Sequence, residues 1–186
     1  MLLTARADHL KAIGLKDSVI RAVQKGDIYS HSDVESFKEG ELEKQSLSFK
    51  IVGLHPKTCR FALRKLAHYE SYENHLDFIK KSLYNEEQNR VRFHLQSTLL
   101  PFDMILDFII PRIKSPGSYP FMFDKGFLKD LKGTINIYDY QGKCLFFTKA
   151  DWRGPDTGIN NTIFEIFSST LSKISMENLI RISKTY

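Results

Sequence analysis

In Arg90-Val91-Arg92-Phe93-His94-Leu95-Gln96-Ser97, the positions Val91, Phe93, Leu95 and Ser97 alternate with Arg90, Arg92, His94 and Gln96. A second run, Phe102-Asp103-Met104-Ile105-Leu106-Asp107-Phe108-Ile109-Ile110, repeats the pattern. Phe102, Met104, Leu106, Phe108 and Ile110 share one side, and Asp103 and Asp107 fall on the other, which is read as solvated. A period of two with one greasy and one wet face predicts neighbouring strands of an antiparallel sheet.

The same periodicity continues on both sides of these runs. Phe78 to Tyr84 reads as a strand leading into the polar turn Asn85 to Asn89, and Pro116-Gly117 marks a turn before Tyr119 to Phe123. Gly133 to Tyr140 and Lys143 to Trp152 form a hairpin around Gln141-Gly142. After the Gly- and Pro-containing loop Arg153 to Gly158, Asn160 or Asn161 caps a long terminal helix. Its apolar face carries Ile163, Phe164, Ile166, Phe167, Leu171 and Ile174, with Leu179, Ile180 and Ile182 beyond, and Ser175 marks a candidate kink.

Upstream, Leu47, Phe49 and Ile51 alternate as a strand ended by Gly53. Pro56 reads as the first residue of a helix carrying Phe61, Ala62, Lys65 and Leu66, followed by a short helical piece from Ser71 to Leu76. The polar segment Asp27 to Gln45 reads as an opening strand near Ile28 and a long turn. Before it, Leu3, Leu10 and Ile13 suit a helix closed by Gly14. A second short helix is expected to be capped by Asp17, to carry Val19, Ile20 and Val23, and to close at Gly26. The expected division is therefore an N-terminal helical extension over 1–26 and one α+β domain over 27–186.

The chain has 186 residues, 42% of them hydrophobic, which suits one globular core. Phenylalanine supplies 14 residues against a single Trp, so the interior is expected to have flat, apolar walls. A net charge of +5 is spread along the chain, which favours a solvated face over a nucleic-acid site. The helical hairpin offers only Arg21, Gln24 and Lys25 to DNA, and no nucleic-acid partner is expected. No run approaches the ~20 apolar residues of a membrane span. Ala5-Arg6-Ala7 leaves two readings, the stump of a trimmed export signal and an ordinary helix start, and the expectation leans to an exported, periplasmic protein. Cys59 and Cys144 are read as small buried hydrophobes, with one disulfide as the alternative.

Strand, two short helices, a run of antiparallel strands and one long terminal helix is an order that resembles the START-like (SRPBCC, helix-grip) superfamily. That superfamily includes START-domain lipid carriers, pathogenesis-related allergens, polyketide cyclases and coenzyme-Q-binding proteins. His55-Pro56 stands where members start the first helix, and Phe61 to Leu66 is similar to its apolar face. Tyr69, Tyr72, Leu76 and Ile79 resemble a tyrosine pair leading into the second strand, and Gly133-Thr134-Ile135-Asn136-Ile137 resembles a strand that begins with glycine. Gly26-Asp27-Ile28 is similar to a Gly-Glu-Ile segment of some exported bacterial members. His68 stands where members commonly have Asp, and Ile135 where they usually have Trp. The resemblance implies a curved antiparallel sheet wrapped around the terminal helix, with a cavity between them for a lipid or other hydrophobic molecule, collected through transient contact with a membrane surface.

Phe93, Leu95, Met104, Leu106, Phe108, Phe147, Phe167 and Leu171 are the expected cavity lining, although a solid core would show the same stripe. Tyr119, Tyr138, Arg112, Asp151 and Arg153 are the candidate polar rim. No cofactor is expected. The six histidines show no metal-ligand spacing, and Gly-x-Ser-x-Gly, phosphate-loop and His-Glu-x-x-His motifs are missing. Two further readings stay open: a polyketide-cyclase-like or dehydratase enzyme using the Tyr and Arg side chains of the rim, and an interaction module whose cavity has closed.

Overall fold

The computed structural model describes residues 9–96, 98 and 103–184; Ala5-Arg6-Ala7, Leu3, Ser97 and Phe102 lie outside them. Two helices, α1 (His9–Ala12) and α2 (Asp17–Gln24), precede the long hairpin of β1 (Tyr29–Glu39) and β2 (Leu42–His55). Then come α3 (Cys59–Leu66), a 3-10 helix over Tyr69–Asn74, and β3 (Ile79–Asn85), β4 (Arg90–Leu95), β5 (Met104–Ile109) and β6 (Gly117–Gly126). The chain continues through β7 (Lys132–Tyr140) and β8 (Lys143–Pro155) to α4 (Asn161–Ser183). Among the described residues the strands form one antiparallel sheet, in the order β1-β2-β8-β7-β6-β5-β4-β3. Helix α4 packs across it, against β1, β2 and α3.

The terminal helix is positioned by a polar seam as well as by apolar burial. Asn160 Oδ1 accepts from the Thr162 amide 3.0 Å away and so caps its first turn. On the side facing the edge strand, Asn161 accepts from the Ser36 hydroxyl, Glu165 accepts from the Val34 amide at 3.0 Å, and the Ser169 carbonyl accepts from Ser30. Positions 161, 165 and 169 share one helix face. They satisfy backbone and hydroxyl groups of a strand that would otherwise be a bare edge. Fully buried Gln45 fixes the loop before the helix, donating to the Ile159 carbonyl and to Asn161 and accepting from the Thr157 hydroxyl. The helix runs unbroken through Ser175, whose hydroxyl donates to the Leu171 carbonyl.

Several local expectations are corrected. The polar segment 27–45 is no long turn: β1 pairs with β2 along its whole length, and the two are joined by the two-residue turn Gly40-Glu41. Its polarity reflects an edge strand whose outer face is wet. Gly53 does not end β2, which continues to His55. A Cβ at Gly53 would lie 3.0 Å from Met176 Cγ, so glycine there admits the terminal helix. Pro56 precedes the helix, which starts at Cys59 behind a Thr58 cap, and Asp17 sits inside the first turn of α2 behind Lys16. The second helical piece is the 3-10 turn, starting two residues earlier than expected.

Cys59 and Cys144 are joined by a disulfide, with Cα atoms 4.6 Å apart. Reading them as free buried hydrophobes is therefore corrected. The bond ties the start of α3 to β8 and closes a separation of 85 residues. Loop closure of that size constrains the unfolded chain by about 4.6 kcal/mol. Both sheet faces carry cores: Phe164, Ile137, Phe146 and Trp152 lie under α4, and Leu10, Ile20, Val23, Val52, Leu54 and Leu145 lie under α1 and α2.

Candidate ligand-binding cavity

Between α4 and the concave side of the sheet lies a cavity of about 300 Å³. Its floor is aromatic. Phe93 of β4 and Phe108 of β5 meet edge-on with centroids 5.5 Å apart, and Phe108 stacks on Phe123 of β6 at 5.0 Å. Tyr72 of the 3-10 helix stacks on Phe93 from one side at 5.8 Å. Phe49 and Ile51 of β2, Ile135 of β7, and Leu95 and Leu106 complete the sheet side. The roof is Leu171, Ser172, Ser175, Met176 and Leu179 of α4.

Accessibility distinguishes this volume from a filled core. Val91 and Leu95 of β4 are buried, whereas Phe93 between them, pointing the same way, remains half-buried. Leu106 and Phe108 of β5 and Ile135 of β7 are half-buried too. Side chains in the middle of inward-facing rows stay accessible only where helix and sheet fail to close on each other.

The few polar groups on the wall are turned to the protein. The Tyr72 hydroxyl donates to the Leu66 carbonyl at 2.7 Å, and burial pushes the phenol well above its ordinary range. Ser175 donates to the Leu171 carbonyl at 2.6 Å. Beside them, Tyr69 donates to the Pro111 carbonyl and accepts from the Ile113 amide, and burial pushes its pKa up to about 12. Among the described residues, none that line the cavity carries a charge.

Of the expected lining, Phe93, Leu95, Leu106, Phe108 and Leu171 stand around this cavity. Met104 and Phe167 pack in the adjoining cluster of Leu76, Ile79 and Leu95. Phe147 is corrected: it points to the opposite face and packs against the core under α1 and α2, while Phe146 faces inward. The proposed polar rim does not gather at the cavity. Arg112 is spent on the Ala67 carbonyl at 2.6 Å and on Glu70 and Glu86, each 3.2 Å away, with its guanidinium over the Tyr84 ring. Tyr119 donates to the Ser115 carbonyl. Tyr138 lies on the outer face, stacked on His9 at 4.2 Å. Asp151 and Arg153 are exposed and line a separate groove beside β1, where Arg153 covers the Phe37 ring. Asp107, read as solvated, is 3% exposed beneath Arg92, whose Nε donates to both its carboxylate oxygens.

The fold as a whole is similar to those of known structures. A START superfamily protein from Mycobacterium smegmatis superposes with a TM-score of 0.58 at 9% identity, over 75% of this chain and 99% of that one. The chain has the START-like (SRPBCC, helix-grip) fold. An aromatase/cyclase, Zhui, from Streptomyces sp. R1128 shares this START-like fold with a TM-score of 0.59 at 8% identity, covering 75% and 94% of the two chains. Ara h 8.0201 gives 0.56 at 7% identity, over 86% of this chain and 99% of that one. No family profile and no curated protein matches the sequence itself.

Residues that sequence reasoning passed over include Tyr72, whose ring walls the cavity, and Ser172, Ser175 and Met176 of its roof. Tyr72 stood in the quoted Tyr69/Tyr72 pattern, and the serines were hidden because they interrupt the apolar face of α4.

Proposed function

We propose that this START-like protein holds a hydrophobic small molecule in the cavity between α4 and the sheet. The observation that carries this reading is the accessible, uncharged, phenylalanine-lined volume of about 300 Å³. Binding pockets for small molecules begin at about that size and are mostly apolar. Phe93, Leu106, Phe108 and Leu171 are the proposed contacts, joined by Tyr72 and Ile135.

A polyketide-cyclase-like reaction needs a general acid or base within reach of its substrate. Arg112, Asp151, Arg153, Tyr119 and Tyr138 do not line the cavity, so binding is the reading better supported. The Cys59–Cys144 disulfide favours an oxidising compartment, in keeping with an exported protein. Native mass spectrometry after gentle purification tests the proposal. A co-purified apolar molecule, or saturable uptake of one added later, is expected. A ligand-free protein that also takes up no apolar probe overturns it.

A further inference from the structure

We infer that the ligand of this cavity is electrically neutral and of about ten to fifteen non-hydrogen atoms. The inference rests on the proposed binding function and narrows it.

The size follows from the volume. About 300 Å³ is the space of about ten waters at ~30 Å³ each, which accommodates one short chain or a small ring system at interior packing density. A two-chain phospholipid is several times too large.

The charge follows from what faces the cavity. Among the described residues no lysine, arginine or histidine lines it, so an enclosed carboxylate or phosphate would lose its hydration without gaining a counter-ion. The hydroxyl protons of Tyr72 and Ser175 are already committed to the Leu66 and Leu171 carbonyls. Neither hydroxyl has a proton left to donate to an anion. Ser172 adds one further hydroxyl, too little to neutralise a charge. The raised pKa of Tyr72, caused first by burial, reports the same penalty for negative charge at this wall.

The experiment compares decan-1-ol with decanoate, equal in chain length, by calorimetric titration of the intact protein at about pH 8, where the acid is ionised. The alcohol is expected to bind at least about tenfold more tightly. The Ser172→Lys variant, which places a cation at the roof, should shift the preference toward decanoate. Equal or tighter binding of decanoate by the unaltered protein overturns neutrality while leaving the hydrophobic-ligand reading intact. If neither compound binds and nothing apolar co-purifies, the underlying reading falls as well.

Discussion

His55 Nε2 lies 3.0 Å from the Ser183 hydroxyl, joining the end of β2 to the last turn of α4. Both residues are buried. The Lys57 amide donates to His55 Nδ1, and Ser183 donates to the Leu179 carbonyl, so the imidazole is neutral with its proton on Nε2, donating to Ser183. Burial, reinforced by the charges of Lys184 and Lys57, holds the pKa of His55 below its ordinary value of 6.5. The ring of Phe61 covers another side.

Stability should therefore fall in mild acid. With the folded pKa below the unfolded one, the unfolded chain binds more protons as pH drops. The contribution is complete above 6.5 and is lost as pH falls from there through the folded value. Thermal melts between about pH 7.5 and 5 should show a falling Tm, and His55→Gln should flatten that slope while costing about 1–3 kcal/mol throughout. An unchanged slope in the variant assigns the pH dependence elsewhere.

The disulfide gives a second prediction. Thiol titration of the unfolded chain should find no free thiols before reduction and two after it. Replacing both Cys59 and Cys144 with Ala should lower stability by about 2–5 kcal/mol. A double variant as stable as the parent would mean that the cross-link is redundant with the surrounding core.

The architecture was legible where one face of an element is wet. In β4 and β5 the alternation of Val91, Phe93 and Leu95 with charged residues named the inward face. The signal failed in β8, where Cys144, Leu145 and Phe146 are all buried because helices cover both sides of the sheet. With no polar alternation, Phe147 was assigned to the wrong face. Asp107 illustrates the converse limit: its face was right, and its burial depends on Arg92, the residue paired with it across the strands. Nor does spacing in sequence reveal that β8 brings Cys144 beside the start of α3.

The helical pair α1 and α2 should be integral to stability. Val52 and Leu145 are fully buried beneath it, and Gln24 donates to Tyr140 at its far end. Removing residues 1–26 would expose these side chains, each worth about 1.5–3 kcal/mol of burial. The truncated chain should melt well below the parent and bind an apolar dye. Val23→Asp, placing a charge in the same core, should mimic it in milder form.

Gly133 tests a close approach between strands. A Cβ there would fall 2.5 Å from Phe121 Cζ and 2.6 Å from both Ala150 Cβ and the Lys149 carbonyl oxygen. Two of these belong to the neighbouring strand β8 and have little room to retreat. Gly133→Ala should destabilise by about 1–3 kcal/mol, measured by chemical unfolding. A neutral result would show that β7 and β8 slide apart at low cost.

Ile135 separates the cavity from the fold that contains it. It lines the β7 wall of the cavity, where its side chain is half-buried. Ile135→Trp should fill part of the 300 Å³ while keeping an apolar surface, so Tm should hold or rise. Affinity for decan-1-ol should drop by about tenfold or more, because the ligand and the indole compete for one volume. The paired readout matters: a fall in both Tm and affinity would signal a strained core, whereas lost binding with intact stability places the ligand against Ile135. Retained binding by a well-folded Ile135→Trp variant would move the ligand out of this cavity.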